Sequence, residues 1–350
     1  MHTIVLKVDQ VNPDPEIVNQ AAGIIRDGGT VVFPTETVYG LGANALSESA
    51  SRKIFSVKGR PVDNPLIVHI CNLSQLDLLC EEIPAKVRKA MEFIWPGPVT
   101  LILKRRVTVP DTVTAGLLTV AVRMPANSLA LALIEKSGVP IAAPSANIAT
   151  RPSIVDSSDA ISELSGLVDM ILDAGRTYFG IESTIVNMTV DPPEMLRPGV
   201  LSLEDLEPFI GKVVYDPKAM EIHEDTKPLS PGMKYTHYSP RKPLILVIDT
   251  KTFRKIPEMY GDITLIGTDQ ALEGLPGKNL RLGDESRPYE VAYNLFKAFR
   301  LLDDTDSRCG VIHVLEERGI GIAMMNRIRK ASRFIVSDEN ELKNVLCKLH

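Results

Sequence analysis

Lys58-Gly59-Arg60-Pro61-Val62-Asp63-Asn64-Pro65 sets two cations two residues apart, beside a glycine and between prolines. A rigid cationic corner of this kind can neutralise a polyphosphate, the ammonium as a point charge and the guanidinium by bidentate donation. A second patch, Ser145-Ala146-Asn147, follows the apolar run Ile141-Ala142-Ala143-Pro144 and offers a hydroxyl, an amide and backbone N–H groups. Together the patches can cradle a phosphorylated nucleotide. They do so without a common phosphate loop, since neither Gly-x-x-x-x-Gly-Lys-Ser/Thr nor Gly-x-Gly-x-x-Gly occurs. A solvated helix end also favours cations, but it has no need of the flanking prolines or of Asn64.

Other polar groups stand at the edges of apolar runs. Phe33-Pro34-Thr35-Glu36-Thr37-Val38-Tyr39-Gly40-Leu41-Gly42 reads as a strand-exit loop that can line a small polar pocket, or as plain turn chemistry. His69, in Leu-Ile-Val-His-Ile, has the setting of a hydrogen-bonded half-core histidine. Arg123 closes Thr-Val-Ala-Val-Arg, and ligands of α/β sheets collect beyond the carboxyl ends of strands. There it can grip a carboxylate or pair with a structural acid. Ser183-Thr184 is a hydroxyl-rich strand entry, Arg197-Pro198-Gly199 adds a cation, and Trp95-Pro96-Gly97-Pro98 reads as packing and turn. No Gly-x-Ser-x-Gly elbow surrounds Ser145. The six histidines are scattered without metal-ligand spacing, so no protein-bound metal is expected.

These residues need elements to hold them. Short β-rich apolar runs at 30–33, 66–70, 100–104, 119–123, 139–143, 170–173 and 184–187 predict strands. Helical patterns lie at 17–27 and 47–57, the second capped by Ser47 and stopped before Gly59. Lys58 and Arg60 then leave a helix end and enter a loop. From 213 to 243 prolines break regular structure. Beyond, strands at 244–249, 263–267, 279–282 and 310–315 alternate with helices at 289–302 and 320–330, a small Rossmann-like α/β domain.

The chain has 350 residues, ample for two domains. A net charge of -5 argues against broad nucleic-acid binding. Four cysteines without a Cys-x-x-Cys pair suit a reducing compartment. The N-terminus is too soon charged for a signal peptide, and no apolar run reaches the length of a membrane span. The expected location is the cytoplasm.

Seven motifs recur here in one order: Phe-Pro-Thr-Glu-Thr-Val-Tyr-Gly-Leu-Gly, Lys-Gly-Arg-Pro-x-x-Asn-Pro-Leu-Ile-Val-His-Ile, Trp-Pro-Gly-Pro-x-Thr-Leu, Val-Arg-Met-Pro, Pro-Ser-Ala-Asn, Ser-Thr-Ile-Val and Arg-Pro-Gly. Over residues 12–212 the chain resembles the YrdC-like L-threonylcarbamoyladenylate synthases. Its remainder resembles the longer, two-domain branch of that family. One departure is Ala149-Thr150-Arg151, where the family usually shows Ser-Gly.

The resemblance implies an α/β fold. A YrdC-like catalytic domain (1–212), with a twisted mixed sheet and a concave pocket, is followed by a Pro-rich linker (213–243) and a Rossmann-like domain (244–350). It implies synthesis of L-threonylcarbamoyl-AMP and pyrophosphate from L-threonine, bicarbonate and ATP, with Mg²⁺ on the ATP. The product goes to the tRNA threonylcarbamoyl transferase machinery, without stable tRNA binding by this chain. L-threonine is assigned to Thr35, His69, Arg123 and Ser183. ATP is assigned to Lys58, Arg60, Asn64, Thr119, Ser145, Asn147, Ser153, Arg197 and Tyr235, with Lys58 and Arg60 catalytic. The segment Ser230-Pro-Gly-Met-Lys-Tyr-Thr-His-Tyr-Ser-Pro, which holds Lys234, Tyr235, His237 and Tyr238, is expected to fold over the nucleotide as a lid. The rival readings are a binding module for structured RNA and a serine hydrolase.

Overall fold

The computed structural model describes residues 2–215, 228–229 and 237–349. They fall into two compact units, the second taking residues 150–152 and 179–181 together with the chain from 237 onward. Residues 230–236 of the expected lid, Lys234 and Tyr235 among them, lie outside the described residues.

In the first unit the described strands are β1 (Ile4–Lys7), β2 (Val31–Pro34), β3 (Tyr39–Asn44), β4 (Ile67–His69), β5 (Val99–Lys104), β6 (Thr119–Arg123), β7 (Ile141–Ala142), β8 (Met170–Asp173), β9 (Thr184–Asn187), β10 (Glu194–Arg197) and β11 (Val214–Tyr215). They make one mixed sheet in the order β1-β8-β2-β3-β7-β4-β6-β5-β9-β10-β11. Val31 and Phe33 of β2 pack into one hydrophobic cluster while Val32 packs into another. That two-sided burial is why β2 is written as an unbroken apolar run.

β3 corrects the sequence reading, which took 33–42 as a strand-exit loop. Gly42 lies so close to Phe33 and Ile141 that an added Cβ would sit 2.6 and 2.8 Å from their side chains. A glycine that packing demands inside a strand looks, in sequence, like a turn.

Two helices matter most for the site. In α1 (Pro15–Arg26) Asp14 caps the N-terminus and proline takes the first turn. In α2 (Glu48–Lys58) the Ser47 hydroxyl accepts from the Ala50 N–H, and Gly59, at φ 59° and ψ 33°, ends the helix in the left-handed region.

The second unit has a wholly parallel sheet of β12 (Leu244–Val247), β13 (Ile263–Gly267), β14 (Lys278–Arg281), β15 (Cys309–His313) and β16 (Phe334–Val336), ordered β14-β13-β15-β12-β16. Helices Thr250–Met259, Pro288–Asp303, Ile320–Ala331 and Glu339–Cys347 accompany it. The α/β class, with a mixed sheet first and a small Rossmann-like sheet after it, is the one expected. Among the described residues no helix is long and apolar enough to cross a membrane.

Candidate active site

Lys58 is the last residue of α2 and is buried, 2% exposed. Its ammonium donates to the main-chain carbonyls of Ser145, at 2.5 Å, and of Asn147. Its own carbonyl accepts from the Ala149 N–H at 2.9 Å. The two patches that stand apart in sequence are therefore one structure: a helix end clamping the turn that follows β7. Arg60 stays on its own loop, donating to the carbonyl of Pro65 at 3.0 Å and approaching that of Asn64 at 3.4 Å. Asn64 is buried, and its Oδ1 has no hydrogen-bond partner among the described residues.

Thr35, Arg123 and His69, three of the four residues assigned to threonine, form a second cluster. The Thr35 hydroxyl donates to the Val38 carbonyl at 2.8 Å and lies 2.8 Å from that of Thr37. Arg123 donates to the Thr37 hydroxyl at 3.0 Å and points Nε at the Gly97 carbonyl at 3.4 Å. Its Nη2 lies 2.7 Å from Glu36 Oε2, with both side chains almost wholly buried. His69 is the register partner of Arg123 across β4 and β6. Burial first, and then the Arg123 charge, push the His69 imidazole down to about 3, so it is neutral near pH 7.

Ser183 Oγ lies 2.8 Å from the Thr100 hydroxyl. Arg197 donates to the Ser183 carbonyl at 2.9 Å and to its hydroxyl at 3.2 Å. The cation assigned to ATP thus supports a hydroxyl assigned to threonine. Gly199 is pressed against the same strand entry: a Cβ there would sit 2.2 Å from the Thr184 nitrogen. The buried Ser153 hydroxyl donates to Glu182 at 2.5 Å.

Main-chain bonds knit these groups together. The Ala146 N–H donates to the Tyr39 carbonyl and the Tyr39 N–H to that of Ile154, each at 2.8 Å. The Trp95–Pro98 segment, read as packing and turn, joins the strand carrying Arg123 to the one after Ser183. There the Gly97 N–H donates to Met124 at 2.8 Å, and Pro98 accepts from Thr184 at 3.0 Å. Thr119 begins β6, at the far end of that strand from Arg123. Tyr235 lies outside the described residues. Sequence reasoning left Glu36, Thr37, Thr100, Gly97 and Glu182 without roles. Glu36 and Thr37 stood in a polar motif, but their partner Arg123 is remote along the chain.

Two family models match the chain. One, described as telomere recombination and covering the Sua5, YciO and YrdC proteins, matches residues 23–199. The threonylcarbamoyl-AMP synthase C-terminal domain matches residues 201–333. The threonylcarbamoyl-AMP synthase of Pyrococcus abyssi is 46% identical over 320 residues, covering 90% of this chain and 93% of that protein. The Bacillus subtilis protein of the same name is 41% identical, covering 91% and 93%. The crystal structure of P. abyssi Sua5 complexed with L-threonine superposes with a TM-score of 0.89 at 44% identity, covering 95% of this chain and 99% of that one. The chain therefore belongs to the threonylcarbamoyl-AMP synthase family, enzymes of the nucleotidyltransferase type.

Proposed function

We propose that the chain joins L-threonine, bicarbonate and ATP into L-threonylcarbamoyl-AMP, releasing pyrophosphate, and so supplies the threonylcarbamoyladenosine modification of tRNA. The threonine amine takes up carbon dioxide to give a carbamate. A carbamate oxygen then bonds to the α-phosphorus of ATP as the bond to the pyrophosphate oxygen breaks. No protein nucleophile takes part; catalysis is positioning and neutralisation of phosphate charge.

In this reading Arg123 takes the threonine carboxylate, with Thr35, neutral His69 and Ser183 around the rest of the amino acid. Lys58, Arg60, Asn64, Ser145, Asn147, Ser153, Arg197, Thr119 and Tyr235 serve ATP. Among the described residues no group of three His, Cys, Asp or Glu side chains is placed to hold a metal. Magnesium is proposed as an ion that arrives on the triphosphate. The product passes to a tRNA threonylcarbamoyl transferase, and no stable tRNA complex is proposed.

The observation that carries the proposal is the Lys58 clamp, which makes the cationic corner and the Ser-Ala-Asn turn one site. The names of the relatives favour a synthase over an RNA-binding module. The test is pyrophosphate release from ATP, with threonine and bicarbonate omitted in turn. Release that ignores either omission would overturn the reaction.

A further inference from the structure

We infer that Glu36 receives the α-ammonium of L-threonine, beside the carboxylate on Arg123, and accepts the proton that must leave before the amine can react. This rests on the proposed synthase reaction and adds a residue to it.

Glu36 is 2% exposed and follows Thr35 in the connection between β2 and β3. Its Oε2 lies 2.7 Å from Arg123 Nη2, yet the two are not aligned as a hydrogen bond. Neither Glu36 oxygen has a hydrogen-bond partner among the described residues, and Arg123 Nη2 has none either. A buried carboxylate with both oxygens unmatched is costly, and an ion pair that omits the hydrogen bonds recovers little of that cost. The arrangement suits a ligand that brings its own donors and acceptors. L-threonine does so: its carboxylate and ammonium, one carbon apart, match a guanidinium and a carboxylate that touch.

The reaction needs a proton acceptor at this place. At neutral pH the threonine amine is protonated and has no lone pair to offer. The neighbouring groups cannot take the proton. His69 holds no proton affinity near neutrality, with its imidazole pushed down to about 3. Arg123 is a permanent cation.

The balanced step begins when the ammonium gives one proton to Glu36 and becomes an amine. Bicarbonate takes up a proton from solvent and loses water to give carbon dioxide, and the nitrogen lone pair forms the N–C bond to it as one C–O π bond breaks. A second proton leaves the nitrogen for water, and the carbamate results. Glu36 returns its proton to water before the next turnover.

Two measurements test this. Calorimetry on the wild-type chain compares L-threonine with 3-hydroxybutyrate, which keeps the carboxylate and hydroxyl and lacks only the amine. The expected result is binding at least about tenfold weaker without the amine, the size of a lost charge-assisted hydrogen bond. Equal affinity would overturn the inference, whatever the variants do. The second measurement is pyrophosphate release by Glu36→Gln, which can still accept a hydrogen bond but cannot take the proton. Its kcat is expected to fall on the order of a hundredfold and to climb as pH rises and free amine appears. Glu36→Asp, which keeps the carboxylate, is expected to restore the wild-type pH profile. A folded Glu36→Gln enzyme with wild-type kcat and pH profile would overturn the inference. Wild-type enzyme without threonine-dependent pyrophosphate release would instead overturn the reaction beneath it.

Discussion

Lys58 holds Ser145 and Asn147 by their main-chain carbonyls, so replacing it acts on structure and chemistry together. Lys58→Met keeps most of the apolar stem and leaves two inward-facing carbonyls without their charged donor. The expected loss of stability is about 1–3 kcal/mol, read from urea unfolding. Turnover is expected to fall on the order of a hundredfold or more. A variant with wild-type unfolding and wild-type pyrophosphate release would remove Lys58 from the site. Histidine gives a pH prediction. Burial and the Arg123 charge push His69 down to about 3, and burial pushes His313 down to about 4. Unfolded, each titrates near 6.5. Between those values the unfolded chain binds more protons, so both contribute stability that is full above pH 6.5 and lost as pH falls. The urea midpoint should drop from pH 7 to pH 5, and less steeply in His69→Asn. Much of the candidate site was legible: Lys58, Arg60, Asn64, Ser145 and Asn147 stand in motifs whose polarity no core requires. What was not legible is pairing. Nothing local shows that Lys58 meets the Ser145 turn, or that Arg123 meets Glu36, because both contacts are made only when distant strands align.

Elements show the same division. Strands with apolar, β-branched runs, such as β6 and β8, were readable to the residue because burial on both faces writes them plainly. β3 was hidden by Gly40 and Gly42. The half-exposed edge strand β1 gives too weak a pattern to stand out. The two site glycines now separate by experiment. A Cβ on Gly59 meets nothing within 4 Å, so Gly59→Ala suffers only the left-handed backbone of the helix end, about 1 kcal/mol. Gly199→Ala would drive a methyl group into the backbone at Ser183 and Thr184. It should destabilise several times more and raise the threonine requirement by displacing the Ser183 hydroxyl. Equal melting temperatures for the two variants would refute this reading of the strand entry.

The whole chain carries four free cysteines in graded settings. Burial pushes Cys80 up to about 12 and Cys309 up to about 11, while Cys347 is exposed and Cys71 half-buried. A disulfide exchange reagent should therefore modify Cys347 first and Cys71 more slowly. Cys80 and Cys309 should react only on unfolding, and prompt reaction of either in the native protein would contradict the packing around it. The molecule must also survive what it makes. Threonylcarbamoyl-AMP is a mixed anhydride, an acylating agent toward any amine with a free lone pair. Of the four cations assigned to the site, Arg60, Arg123 and Arg197 carry guanidinium groups, which do not acylate near neutral pH. Lys58 alone is an amine, and it is buried with its nitrogen directed at the Ser145 and Asn147 carbonyls. The clamp on the Ser145–Asn147 turn is thus also a chemical safeguard: it occupies the one lysine among the four assigned cations with the protein's own backbone.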